Sequence, residues 1–372
     1  MRMKESALFQ LYQDRAIRSG EYHGWTMPAA FGDVEAEYLA ATRHIACFDS
    51  SLRGRLLLRG RDGLDLLQRI STNDLQSLKP GESAGTILTT EKGRLVDFVT
   101  LLHMGEEGIL LITSPEKQTE VSFWIERFII LEDIKISDLS SCSVMTSLIG
   151  PEAESMDTPR DSGAILSTPD SEGGGVRRAV TRWPHATEVH LISGPSAGSP
   201  LRTWLQERIL PETRVQERIS PGADEEAGEQ IPLIGFQAYE AYRIAHGIPM
   251  AVSELTQQHN PYDVGLRPFI SYTKGCYVGQ EVIARLDTYQ KVRRHLAPLV
   301  FGRGERPNAG AKVTLGGEEV GHLTSSTDEP LFGATLGLAV LAANVPVGAA
   351  VECQTPSGSL QAAVGDFPVR LP

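Results

Sequence analysis

Cysteine is scarce in this sequence. Four cysteines stand in 372 residues (Cys47, Cys142, Cys276 and Cys353), far apart and never as CxxC. That spacing argues against a disulfide scaffold and a zinc finger, and it fits a reducing, cytoplasmic setting. Long apolar runs are missing as well, and none reaches the roughly 18 residues of a membrane span. The opening Met1-Arg2-Met3-Lys4-Glu5-Ser6 is followed by no apolar segment of the signal-peptide kind. Positive charge is in deficit: 35 Lys and Arg face 47 Asp and Glu, a formal net charge of -12. A broad phosphate-backbone footprint needs clustered Lys and Arg, so nucleic acid is not an expected partner. A small anionic ligand needs only a local basic pocket and stays open. No HExxH, P-loop, GxSxG or solenoid-type repeat is read in the sequence. The remaining composition, 41% hydrophobic and 22% charged, is that of an ordinary globular chain. Its length accommodates two or three domains.

Periodicity divides the chain. Asp33 is a candidate N-cap for a helix over Val34 to Ala46. Gly54 to Gly60 reads as a strand, and Asp62 to Ile70 as a short helix with Leu64, Leu67 and Ile70 at helical spacing. Gly85 to Thr90 and Arg94 to His103 read as a hairpin joined by Glu91-Lys92-Gly93. Ile109 to Thr113 leads to a helix with Ser114 as expected N-cap and Pro115 at its first position. Residues 151–175 and 211–230 are polar, loop-like stretches. Val189 to Ile192 reads as a strand, Leu201 to Ile209 as a helix, and Gly235 to His246 as a helix stopped at Gly247. Beyond about residue 290 helical patterns vanish. Short strands alternate with Gly and Pro, as in a small sandwich or barrel.

One octapeptide stands apart: Lys274-Gly275-Cys276-Tyr277-Val278-Gly279-Gln280-Glu281. It sets a thiol beside a cation and between glycines, with an amide and a carboxylate close behind. A thiolate is the nucleophile and metal ligand, and a nearby Lys lowers a thiol pKa. The competing reading is an inert Cys in a turn. Asp97 is a second candidate, because it interrupts the apolar strand Leu95-Val96-Asp97-Phe98-Val99. Strands are poor in Asp, and a carboxylate there can hold a proton from a bound amine. The same signal fits a solvent-facing Asp on an edge strand. Tyr239, Glu240, Arg243 and His246 share one helix, where Glu240 and Arg243 also fit a surface ion pair. Arg285, Lys291, Arg293, Arg294 and His295 form a local basic run. It suits carboxylates or phosphates, or else guards a strand edge with charge.

Together these residues resemble a known superfamily. Gly24-Trp25-Thr26-Met27-Pro28, Phe31-Gly32-Asp33, Phe48-Asp49-Ser50-Ser51, Thr72-Asn73-Asp74, Lys79-Pro80-Gly81 and Gly93 to Phe98 are similar to the glycine-cleavage T-protein (aminomethyltransferase) family. Gly321-His322-Leu323-Thr324-Ser325 resembles that family's last domain. The octapeptide, running on to Val282-Ile283-Ala284-Arg285, resembles the signature of the YgfZ family. Those are folate-binding proteins tied to iron–sulfur cluster assembly or repair.

The resemblance implies an α+β fold of three domains arranged as a cloverleaf. Residues 1–52 and 142–289 would form a discontinuous first domain, residues 53–141 an inserted second, and residues 290–372 a small β-barrel. It implies tetrahydrofolate, or a one-carbon-substituted form, as cofactor. Partners would be folate and iron–sulfur proteins or their assembly factors. Asp97 falls on the T-protein's catalytic aspartate. Cys276 would be the functional thiol with Lys274 ionising it, while Tyr239, Glu240, Arg243, Tyr277, Gln280, Glu281, Arg285 and Arg293 would contact the cofactor. The chain departs from the T-protein pattern where Ala245 replaces the pterin-binding glutamate. Phe98 stands where a second acid is usual, and Thr113-Ser114-Pro115 where an asparagine-containing segment is usual. An aminomethyltransferase and a non-enzymatic scaffold contributing Cys276 to a transient cluster are the alternative functions.

Overall fold

Local signals set most elements of the structure, a computed structural model. It describes residues 4–159, 175–196, 199–208, 230–288, 292–302, 307–328, 331–356 and 358–371. The Asp33 carboxylate accepts the Ala36 amide at 3.3 Å and caps the helix Val34–Arg43. That helix ends earlier than its apolar pattern because Ala46–Asp49 peels away as a strand, β4. Strands β1 (Lys4–Glu5), β2 (Arg18–Tyr22) and β3 (Trp25–Ala30) form a small sheet in the order β1-β3-β2. Strands β5 (Arg53–Arg59), β6 (Ser83–Thr89), β7 (Leu95–His103), β8 (Ile109–Pro115) and β9 (Lys135–Asp138) form a second, ordered β6-β7-β8-β5-β9. Strands β10 (Val144–Ile149), β11 (Arg177–Arg182) and β12 (Thr187–Ser193) join β4 in a third, ordered β11-β12-β10-β4.

The expected helix cap at Ser114 is not there. β8 runs through Pro115, Glu116 adopts φ 59° and the helix begins only at Gln118. Pro115 pairs with Arg53 across the sheet, so strand pairing overrides the local Ser-Pro-Glu signal.

The C-terminal strands close on themselves. β13 (Arg294–Phe301), β14 (Lys312–Leu315), β15 (Glu318–Ser326), β16 (Thr335–Ala342), β17 (Ala350–Thr355) and β18 (Gly358–Val364) make a six-stranded barrel in the order β13-β16-β15-β14-β17-β18. Leu299, Phe301, Val313, Leu323, Leu341, Val351 and Val364 fill it. Closure removes the edges that an open sheet would expose. The architecture is thus mixed α+β with a terminal barrel, as expected.

Two compact units result. The first comprises Met1–Leu64, Ser77–Gly85 and Thr100–Tyr239; the second comprises Asp65–Gln76, Thr86–Val99 and Glu240–Pro372. In the first, Leu8, Tyr12, Leu148, Leu191, Leu201 and Trp204 belong to one apolar core. The second holds the barrel and the octapeptide. Most of the two polar stretches, and Lys291, lie outside the described residues. Among those described, no helix is long and apolar enough to cross a membrane, no metal-ligand cluster occurs, and all four cysteines are free.

Candidate functional site

Asp97 lies on β7, where both faces are buried: Leu95, Val96, Phe98 and Val99 are all inside, and Asp97 itself has 0% exposure. The solvent-facing edge reading therefore fails. The strand is held in register by the Leu95 amide, which donates to the His259 carbonyl at 3.1 Å, and by Phe98 packed edge-on against Phe269. A carboxylate kept in such surroundings is costly unless it meets a polar or cationic group.

The octapeptide is stitched to the end of the helix Gly63–Ile70. Carbonyls in a helix's last turn have no intrahelical partner. Lys274 supplies one: its Nζ donates to the carbonyls of Gln68 (2.6 Å), Ser71 (2.8 Å) and Asn73 (2.5 Å). An ammonium has three donors, so all are used. The Val278 amide takes the Arg69 carbonyl at 3.2 Å, and Thr89 Oγ1 donates to the Val278 carbonyl at 2.8 Å. Gly279 adopts φ 83°, and a Cβ there would stand 2.6 Å from the Thr90 carbonyl oxygen, so only glycine fits.

Lys274 is buried and also lies 5.4 Å from the Tyr277 ring centre. Burial pulls its pKa down to about 8, against the upward pull of Asp74. Burial pushes the Tyr277 phenol up to about 12. Cys276, by contrast, is exposed. The loop thus presents a thiol on a fixed base, and Lys274 serves the base. Gln280 and Glu281 open the helix Gln280–Thr288, where an acidic side chain suits the N-terminus.

The helix Phe236–Ala245 offers less to a ligand than its sequence suggests. Tyr239 is buried, its ring stacked on Phe48 at 4.1 Å; its hydroxyl accepts from Arg53 (2.7 Å) and donates to Glu188 (2.9 Å). Arg243 is buried too. It makes a two-pronged bond to Glu240 (2.7 and 2.6 Å), meets Glu254 at 3.5 Å and reaches Ser325 Oγ on β15 at 2.9 Å. The expected surface pair is therefore a buried pin between this helix and the barrel. Ala245 is fully buried. Arg285 and Arg293 are exposed, the first on the helix Gln280–Thr288 and the second just before β13.

Sequence reasoning missed a buried cluster in the first unit. Arg53 pairs with Glu188 at 3.3 Å, and Trp183 Nε1 donates to Glu188 at 2.9 Å. His190 nearby bridges Ser147 (2.8 Å) and Thr181 (3.0 Å), and burial pulls its pKa down to about 4. The signal was present: Arg53 and Glu188 each adjoin an apolar strand run. A GxSxG pentapeptide, Gly81-Glu82-Ser83-Ala84-Gly85, also went unread. It forms no nucleophile elbow, since Ser83 opens β6 and its Oγ donates to the Val180 carbonyl at 3.1 Å.

Known proteins share this arrangement. Residues 8–159 match the GCVT N-terminal domain, and residues 294–369 match the glycine cleavage T-protein C-terminal barrel domain; together they span more than half of the chain. The aminomethyltransferase of Geobacillus kaustophilus (strain HTA426) is 28% identical over 98% of this chain and 98% of its own length. That of Symbiobacterium thermophilum is 27% identical over 98% and 97%, and that of Bacillus subtilis (strain 168) 24% identical over 91% of each. The structure of glycine cleavage system aminomethyltransferase T from Bartonella henselae superposes with a TM-score of 0.71 at 18% identity. It covers 99% of this chain and 98% of that one, which shows a common fold. With both terminal domains of that family, and similarity to its aminomethyltransferases along nearly the whole chain, the protein belongs to the glycine-cleavage T-protein superfamily.

Proposed function

We propose that this chain is a tetrahydrofolate-binding protein of the YgfZ type that supports iron–sulfur enzymes. The observation that carries this reading is the octapeptide: an exposed Cys276 on a loop anchored by Lys274, Val278 and Gly279. A fixed, accessible thiol suits transient chemistry with a partner better than a packing role, which would bury it.

The residues fit the one-carbon end of a folate better than its pterin end. Bound tetrahydrofolate supplies amine nitrogens that carry one-carbon units. The Asp97 carboxylate, buried in an apolar strand, is suited to accept a hydrogen bond or proton from such a nitrogen. No acid stands at Ala245, Glu240 is held by Arg243, and the Tyr239 hydroxyl is engaged. Pterin recognition in this chain therefore rests on groups other than that helix's acids. Cells carrying Cys276→Ala test the reading: iron–sulfur enzyme activities fall if it holds and stay intact if it does not.

A second reading, a folate-dependent aminomethyltransferase of the T-protein type, is favoured by the buried Asp97 and the similarity along nearly the whole chain. It predicts methylene-tetrahydrofolate from tetrahydrofolate and a lipoyl-bound aminomethyl donor. Purified protein that forms none excludes it.

A further inference from the structure

Four cations converge on one cavity of the second unit. The hairpin tip Lys92–Arg94, the turn Asn260–Asp263, the helix Gln280–Thr288 and the residues Arg293 and Arg294 enclose about 500 Å³. That volume suits a small molecule. Lys92, Arg94, Arg293 and Arg294 line it against one acid, Asp263, in a chain whose net charge is -12.

Asp263 is already neutralised. It is buried and its Oδ2 accepts from Arg294 (3.2 Å) and from the backbone amide (3.1 Å) and side chain (2.9 Å) of Asn260. Arg94 spends one donor on the Gln258 carbonyl at 2.9 Å, which leaves most of its fork free to meet a ligand. Lys92 and Arg293 have no ion-pair partner among the described residues. Three positive charges therefore face a common concavity without a counter-charge among the described residues.

Guarding a strand edge accounts for Arg293 and Arg294 alone, because β13 meets β18 only from Leu299 onward, whereas Lys92 and Arg94 stand on the hairpin tip between β6 and β7. The walls are also fixed. Gly93, at φ 65°, sits so close to the helix that a Cβ would meet Val282 Cγ1 at 3.1 Å. Val282 and Leu286 give the cavity an apolar side.

We propose that this cavity binds a small polyanion, a molecule with two or more closely spaced carboxylate or phosphate groups on a partly apolar stem. The guanidinium forks of Arg94 and Arg293 take the anionic groups, and Lys92 adds a point charge. The proposal does not rest on the folate reading.

Calorimetric titration of the full chain at low salt with tetraglutamate, and separately with tripolyphosphate, tests it. Neither probe contains a pterin. Saturable binding of at least one is expected, weakening with added salt. Binding should fall about tenfold or more in each of Lys92→Ala and Arg293→Ala and stay unchanged in Lys135→Ala, which alters an exposed cation on β9. Tetraglutamate alone binding assigns the site to carboxylates, and tripolyphosphate alone assigns it to phosphates. Saturation by neither probe, or equal losses in all three variants, overturns the proposal.

Discussion

Replacing Lys274 with methionine separates the two roles this lysine can have. The substitution keeps an unbranched apolar stem and removes the ammonium. Three carbonyls, those of Gln68, Ser71 and Asn73, then lose their donor. Each buried carbonyl left without a partner costs about 1 kcal/mol or more, so the loss is roughly 3 kcal/mol. A cation at a helix C-terminus adds about 0.3–1 kcal/mol to what is lost. The wild-type chain also bears a cost for burying charge, visible in the Lys274 pKa of about 8, and methionine escapes it. The net expectation is a destabilisation of about 2–3 kcal/mol. In a protein of this size that lowers the unfolding midpoint by about 3–4 °C. Thermal unfolding by circular dichroism reads the first effect, and the pH profile of Cys276 alkylation reads the second. An anchoring lysine leaves the alkylation midpoint where it was. Unchanged unfolding together with an alkylation profile displaced to higher pH would refute the anchoring role and make Lys274 an activator of the thiol.

Other expectations follow from named contacts. Gly279→Ala introduces a Cβ 2.6 Å from the Thr90 carbonyl oxygen at φ 83°, so it should cost about 2 kcal/mol or more in thermal or urea unfolding. Arg53→Met leaves Glu188 buried and unpaired beside Trp183 and Tyr239, with an expected loss of about 3–5 kcal/mol; stability within 1 kcal/mol of wild type would contradict the role given to the pair. Glu37 accepts the amides of Phe31, Gly32 and Gly235, and burial pushes it up to about 7 despite those bonds. A carboxyl raised from 4.5 binds its proton more tightly folded than unfolded, so its contribution is full below about pH 4.5 and is lost as pH rises through 7. The difference in unfolding free energy between wild type and Glu37→Gln should therefore shrink by about 3 kcal/mol from pH 4.5 to 8, and a difference independent of pH would contradict it.

What the sequence made legible was local. Asp33 before Val34, the turn residues Glu91-Lys92-Gly93 and the alternation of short strands with glycine after residue 290 each carry their own geometry. Asp97 could be picked out because a carboxylate amid Leu95, Val96, Phe98 and Val99 conflicts with strand chemistry. Ser114-Pro115-Glu116 misled because β8 continues through it to pair with Arg53, a long-range demand that no cap signal records. β18, Gly358–Val364, escaped notice because Ala362, Ala363 and Val364 run together and break the apolar–polar alternation of a strand. The role of Lys274 was hidden for the same kind of reason: its acceptors lie about two hundred positions earlier in the chain. Tyr239 and Arg243 read as ligand contacts while their partners, Glu188 and Glu254, were out of sequence view.

Titration with tetrahydrofolate tests the central claim most directly, using wild type and Asp97→Asn under anaerobic conditions. The substitution keeps the size of a fully buried side chain and removes its charge. Saturable binding by wild type is expected, weakened about tenfold or more in the variant while both proteins retain native circular dichroism. Absence of binding by wild type, or equal affinity in the two proteins, would contradict a folate site built on Asp97.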